Sequence, residues 1–280
     1  MSTESEPAYS QDVAVAAITR FYNFIERLYG KTSAGLEHPP PSGWPQITPD
    51  LAPHLNLSPE AVELLRHIPY FRRPVCVMTA CHPLNYVTIA EHTRQSLQAT
   101  GRRPQQDRDN PDLDRKYPPH VFPLAESVHY TWGCTIVIDT IRGVAIWHNL
   151  DGKPLAEGCP QPDAPFFDEG ATTYVSDLDG WKIAPTWRVE SFFRMAEEQL
   201  MALNWIPVLE DEDKLDELGV YGQPEEEQRG RARIFTEAGW PGESYDPEKA
   251  YEGTMAWSEK RDEIEEVERG RERLAATHLS

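Results

Sequence analysis

The chain has 280 residues, enough for one large domain with additions, and combines a low apolar fraction of 39% with 25 prolines that enforce loops and chain reversals. Acids outnumber bases 46 to 27, a net charge of −19, which argues against nucleic acid as a partner, because neutralising phosphates needs clustered Lys and Arg. Residues 1–6 lack a basic leader and no apolar run reaches membrane-spanning length, so no membrane is expected, and the four cysteines, Cys76, Cys81, Cys134 and Cys159, are expected to be reduced in a cytoplasmic or nuclear chain.

Residues 1–9 are expected to be disordered. Ser10 can cap a helix running to about Tyr29, with Val13, Ala17, Phe21, Phe24, Ile25 and Leu28 at helical spacing and Gly30 as its stop. Residues 37–45 are proline-rich and cannot be helical; with no basic anchor beside the prolines they read as a stiff loop pinned by Trp44 rather than a polyproline ligand. Thr48-Pro49 and Ser58-Pro59-Glu60 each set a cap residue ahead of a proline at the first helical position. Two short helices follow, the second burying Val62, Leu64, Leu65 and Ile68. Residues 75–79 read as a strand. Residues 98–119 form a polar excursion with Arg102, Arg103, Arg108, Arg115 and Lys116, which is either a functional loop or disordered.

Residues 133–148 are the most informative stretch: two β-branched runs flank a short polar turn, the pattern of a hairpin at the centre of a sheet. A polar loop around Asp151-Gly152 and a strand near 172–175 come next. A helix over about 188–204 carries Val189, Phe192, Phe193, Ala196, Leu200 and Leu203 as a wide apolar stripe, which should lie across the sheet. The domain boundary falls near Val208-Leu209. Beyond it, residues 210–280 hold 21 acids and 10 bases, −11 of the −19, which suits a solvated arm or a basic protein partner. Asp246-Pro247-Glu248 can open a final helix with Trp257, Ile264, Val267 and Leu274 near heptad spacing; Gly270 and Arg271 interrupt it, so a charged helical arm is favoured over a coiled coil.

Few side-chain patterns carry chemistry. Cys76 and Cys81-His82 approach a metal pattern, but the spacing lacks the paired ligands of structural zinc, and Cys76 alternates with Val75 and Val77 as a core thiol would. Asp177-Leu178-Asp179-Gly180 mimics the start of a calcium loop whose closing position is Arg188 instead of glutamate, so it reads as a turn before Trp181. Asp139, His148 and Asp151 can converge at one end of the hairpin as an acid–base cluster. Against this, aspartate is common at turns for its bonds to the backbone, and a histidine after a strand is usually a satisfied or solvated one. Trp132, Trp147, Trp181, Trp187 and Trp205 gather in or beside the sheet, either as packing or as the lining of a ligand pocket. No nucleophile elbow, phosphate loop, dinucleotide fingerprint or zinc-protease motif is present.

Gly43-Trp44-Pro45-Gln46-Ile47-Thr48 and Leu64-Leu65-Arg66-His67-Ile68-Pro69-Tyr70 resemble a group of uncharacterised filamentous-fungal proteins, and residues 186–208, ending Asn204-Trp205-Ile206-Pro207-Val208, fit the same group. More remotely, the order of elements is similar to the SUKH superfamily of cell-wall-synthesis regulators and toxin-immunity proteins. There, a strand ending near Asp precedes Gly, an aromatic-bearing strand and a helix opening with Ser-Phe; Ile138-Asp139, Gly143, Trp147 and Ser191-Phe192 stand in those places. The Asn-Gly-Gly that often follows the early helices of that superfamily is missing here. The resemblance implies an α+β binding fold with no catalytic residues to carry over.

The reading is therefore an α+β domain over 10–208, with a mostly antiparallel central sheet and packed helices, followed by an acidic, partly helical arm over 209–280. Its expected function is a non-catalytic protein-binding or regulatory module whose partner is another protein, with no cofactor and no metal. The competing reading is an enzyme or small-molecule binder that uses a tryptophan-rich pocket with Asp139 and His148. The candidate binding residues are Trp132, Asp139, Trp147, His148 and Trp181.

Overall fold

The computed structural model describes residues 9–30, 35–78, 80–100, 117–127, 133–150, 160–168, 179–206 and 225–260. In chain order the elements are α1 (Gln11–Tyr29), β1 (Leu36–Glu37), α2 (Ala52–Leu55, entered through a 3-10 turn), α3 (Pro59–His67), β2 (Tyr70–Phe71), β3 (Cys81–Pro83), α4 (Tyr86–Thr100), β4 (Val121–Ser127), β5 (Cys134–Asp139), β6 (Val144–Asn149), β7 (Thr186–Arg188), α5 (Val189–Met201), α6 (Glu225–Glu237) and α7 (247–260). Strands β3 to β7 form one antiparallel sheet in that order, and β1 and β2 pair separately, Leu36 opposite Phe71. The fold is α+β.

The sheet has two unlike faces. Alternation sends Ile136, Ile138, Ala145 and Trp147 into the main core beneath the helices, while Val121, Val137, Val144 and Ile146 face a thinner second layer. Helices α1 and α5 cover the first face together: Phe21 meets Phe193 at 5.2 Å between ring centroids, and Arg20 Nε donates to Glu197 at 2.9 Å. Trp147 packs edge-on against Trp205, and Phe192 against Trp187. The second face is closed by Trp181, from a 3-10 turn over Gly180–Ile183, with Tyr117, Ala164 and Phe167.

The helix starts follow local chemistry. Ser10 accepts from the Val13 amide and Ser58 from the Ala61 amide, and prolines occupy the first turns of α2 and α3. Gly30 ends α1 at φ +66°, where Pro247 packs so closely that a Cβ would lie 2.3 Å from its ring. Val13, placed on the apolar face of α1 by spacing, is instead 46% exposed. Of the expected strand over 75–79, the described residues 75–78 do not form one: Met78 makes an isolated bridge to Cys81, Val77 donates to the Cys81 carbonyl and Ala80 takes φ +48°. Reversal there lets β3 return along β4.

Elements without a clear sequence signal complete the fold. Strand β4 contains Pro123, which a central strand disfavours, and the register shifts between Pro123 and Ala125 to accommodate it. Helix α4 is entered through Asn85, which accepts from the Thr88 amide. At the C-terminal end, α6 and α7 form a helical pair, and Phe235, Ala238, Trp240 and Ala250 join the main core, so its packing extends past residue 208. The expected strand near 172–175, the acidic run 210–213, the basic residues from Arg102 to Lys116, Cys159 and the apolar positions Ile264, Val267 and Leu274 lie outside the described residues. No helix among the described residues is long and apolar enough to cross a membrane.

Cys76, Cys81 and Cys134 are unbonded thiols. Burial pushes the Cys76 thiol up to about 11 and the Tyr9 hydroxyl up to about 12, the latter helped by the nearby Glu60 carboxylate. Burial likewise raises the Cys81 thiol and the hydroxyls of Tyr22, Tyr29, Tyr70, Tyr86 and Tyr117 above their ordinary range.

Two outcomes are expected. Phe192 is fully buried, so Phe192→Ala should cost about 3–5 kcal/mol in urea denaturation; a cost under about 1 kcal/mol would mean that the α5 stripe is not core. The raised thiol and phenol groups set the alkaline limit. The unfolded chain releases these protons near 9.0 for Cys76 and 10.0 for Tyr9, while the folded chain holds them to about 11 and about 12. Stability should be full below pH 9 and fall steadily as pH rises through 11 and 12; a denaturation midpoint flat between pH 8.5 and 11.5 would contradict this.

Candidate functional site

The turn joining β5 to β6 organises one end of the sheet. Asp139 is fully buried, and its Oδ1 accepts from the amides of Ile141 at 2.9 Å and Arg142 at 3.1 Å, the side-chain-to-backbone bonding expected of aspartate at a turn. Gly143 donates to the Asp139 carbonyl and accepts from the Val189 amide, which ties the turn to the start of α5. It holds φ +69°, and a Cβ would stand 3.2 Å from Tyr9 Cα. Glycine is therefore needed for both the conformation and the close approach of the chain entering α1.

These contacts leave a cleft of about 430 Å³ between the first turn of α1, the β5–β6 turn, residues 163–165 and the start of α5. Tyr9, Val13 and Ala14 line one wall, Ile141 to Val144 another, and Arg188 to Glu190 a third. Asp163 Oδ1 accepts from the Arg188 amide at 2.7 Å, which fixes the loop to β7. The Arg142 guanidinium donates to the carbonyls of Pro165 and Phe166 and lies 5.9 Å from the Phe167 ring.

The cleft also gathers exposed apolar surface. Among the described residues four large apolar side chains are exposed, and Val13 (46%) and Ile141 (67%) both line the cleft. A third, Phe166 (43%), follows Pro165 in its wall, while only Met201 stands elsewhere.

The predicted site residues do not converge. Asp139 pairs with Val144 at the turn, and His148 pairs with Thr135 at the other end of the same two strands. Four positions separate them along β5, about 13 Å at the rise of a strand. Trp147 points into the helical core, while His148 and Trp181 belong to the opposite face. His148 and Trp181 do meet the same segment: a Cβ on Gly180 would lie 2.8 Å from the His148 Nε2. Trp181 is fully buried against Phe167 and Tyr117, so it is packing rather than the wall of an open pocket. Trp132 and Asp151 lie outside the described residues.

The second face is polar at its far end. His82 is opposite Glu126, and Thr135 opposite His148; continuing the Ala125–Ile136 register by one position sets Glu126 beside Thr135. A row of polar side chains thus crosses four strands at that end of the face. Among the described residues no group of three or more His, Cys, Asp or Glu is placed to hold a metal ion. Sequence reasoning missed the cleft because its lining comes from four separated segments, of which only the turn carried a signal. Comparison with protein families, with curated proteins and with solved structures finds no match for this chain.

Removing the acceptor at the turn should be costly. Asp139→Ala leaves the Ile141 and Arg142 amides without their partner and should destabilise the protein by about 1–3 kcal/mol in chemical denaturation, whereas Asp139→Asn, which keeps the accepting oxygen, should cost less. Equal losses for the two variants would show that Oδ1 is not what holds the turn.

Proposed function

We propose that this chain is a non-catalytic protein-binding or regulatory module, and that the cleft beside the β5–β6 turn is where its partner docks. The observation that carries this reading is that Val13 and Ile141, two of the four exposed large apolar side chains among the described residues, line one concavity, with a third, Phe166, next to its Pro165 wall. Apolar anchors in a concavity, ringed by polar groups, are the usual anatomy of a docking surface. Here the polar ring is Ser10, Arg142, Asp163, Arg188 and Glu190.

The partner this surface suits is a basic protein segment bearing a large apolar side chain. A net charge of −19 draws cationic partners in by long-range attraction, and the apolar side chain then fills the cleft. The SUKH resemblance, to regulators and immunity proteins, points in the same direction. The free thiols of Cys76, Cys81 and Cys134 suit a reducing compartment, cytoplasm or nucleus. An active centre built from Asp139 and His148 is the less favoured reading, since it needs the two at one place and they stand at opposite ends of the β5–β6 pair.

The test is binding to a defined set of short basic peptides, each with one aromatic or aliphatic anchor, followed by backbone amide shifts. Saturable binding should perturb Val13, Ile141 and Val144, weaken as salt rises, and drop at least tenfold in Ile141→Glu, since one buried Ile side chain is worth about 1.5–3 kcal/mol. Ile141 is largely exposed, so the variant should keep its thermal midpoint. Undiminished binding by Ile141→Glu, or perturbation confined to the His82–His148 row, would overturn this assignment of the site.

A further inference from the structure

We infer that residues 225–260 form a clamp: a helical hairpin that docks on the domain by its tip and opens as a unit while the sheet stays folded. The hairpin has internal packing of its own. Phe235, Ala238, Ala250, Thr254 and Ser258 are buried, and α6 and α7 approach closely at glycines. Ile234 packs on Gly253, where a Cβ would meet it at 2.7 Å, and Trp257 packs on Gly230, where the distance is 3.2 Å. The Arg231 guanidinium lies 4.7 Å from the Trp257 ring. Backbone bonds close the connection between the helices: Trp240 donates to the Phe235 carbonyl at 3.0 Å, and Asp246 to that of Ala238 at 2.8 Å. Lys249 Nζ adds a bond to the Glu237 carbonyl at 2.6 Å.

The tip makes a different kind of contact. Trp240 is inserted at the ends of α1 and α5, edge-on to Phe24 at 5.5 Å and to Tyr245 at 4.8 Å, and its Nε1 donates to the Leu200 carbonyl at 3.1 Å. Arg27 closes the cage: its guanidinium sits 5.2 Å from the Trp240 ring and 5.9 Å from that of Phe24, and it donates to the Pro241 carbonyl. Tyr245 Oη donates to the Leu28 carbonyl at 2.8 Å, and Pro247 packs on Gly30. A tryptophan seated among rings, with its N–H satisfied and an arginine above it, is the geometry of a hot spot between two bodies. The Tyr245 and Trp240 bonds use carbonyls in the last turns of α1 and α5; that of Leu28 is one a helix leaves without an intrahelical partner, while that of Leu200 also accepts from the Leu203 amide at 3.2 Å. Undocking therefore returns those carbonyls to water and breaks no strand pairing, which makes separate opening the cheaper route.

The test is native-state hydrogen exchange on the full-length protein, comparing amides in 238–250 with those of β5 and β6. The clamp amides should exchange through an opening of lower free energy than the strand amides. Trp240→Ala should speed clamp exchange on the order of thirtyfold, the scale of losing a hot-spot tryptophan, and should also speed β5 and β6, whose full opening includes loss of the docked tip. Arg27→Gln, an exposed position that leaves the core intact, should act in the same direction to a smaller extent. As the contrast, Phe192→Ala should speed β5 and β6 and leave clamp exchange unchanged, because the clamp-open state keeps Phe192 buried. Equal opening free energies of the two regions in the wild type, or equal acceleration of both by Phe192→Ala, would show that residues 225–260 open only with the whole protein and overturn the inference.

Discussion

Strand β5 is buried from Cys134 to Asp139 on both of its faces, and the rest of the architecture answers to that constraint. A half-exposed antiparallel sheet alternates apolar and polar side chains; here Thr135, Val137 and Asp139 are as inaccessible as Ile136 and Ile138. Two covers are then required. One is supplied by α1, α3 and α5, the other by the thin layer around Trp181, Phe167 and Tyr117. The price of two covers is that polar groups on the inner strands must find partners inside. Asp139 does so through Oδ1 at the turn, while its Oδ2 is buried with no hydrogen-bond partner among the described residues.

How much of this the sequence reveals depends on how local the cause is. Caps and stops are set by neighbouring residues, so Ser10, Ser58, Pro59 and Gly30 mark α1 and α3 without tertiary information. The hairpin and the α5 stripe are equally legible, because each contains a strong period within one segment. The strand β4 is not, since Pro123 argues against it and only the bulge beside β5 makes it tolerable. Helix α6 is acidic and has a weak apolar stripe, so its helical state depends on α7 and the domain beneath.

The candidate site shows the same division more sharply. Sequence proximity brought Asp139, Trp147 and His148 together as one cluster, and strand geometry separates them: period-two alternation turns Trp147 to the other face, and strand rise carries Asp139 away from His148. The cleft beside the turn depends on the close approach of Gly143 to Tyr9, a contact between segments more than a hundred positions apart. Only the turn glycine carries a trace of it. Exposed Ile141 looks unremarkable at a hairpin turn until exposed Val13 is found lining the same concavity.

The net charge and the exposed apolar surface act at different ranges. A charge of −19 reaches about a Debye length into solution at physiological salt, roughly 8 Å, and selects cationic partners before contact. Apolar anchors act only at contact and set how long a partner stays. The acidic surplus lies mainly beyond residue 209, whereas the anchors lie at the turn between β5 and β6. Arg27 links these two parts, because it holds Trp240 from the surface of α1 while α1 carries Val13 at its other end. A single helix thus bears both the wall of the docking cleft and the seat of the C-terminal hairpin.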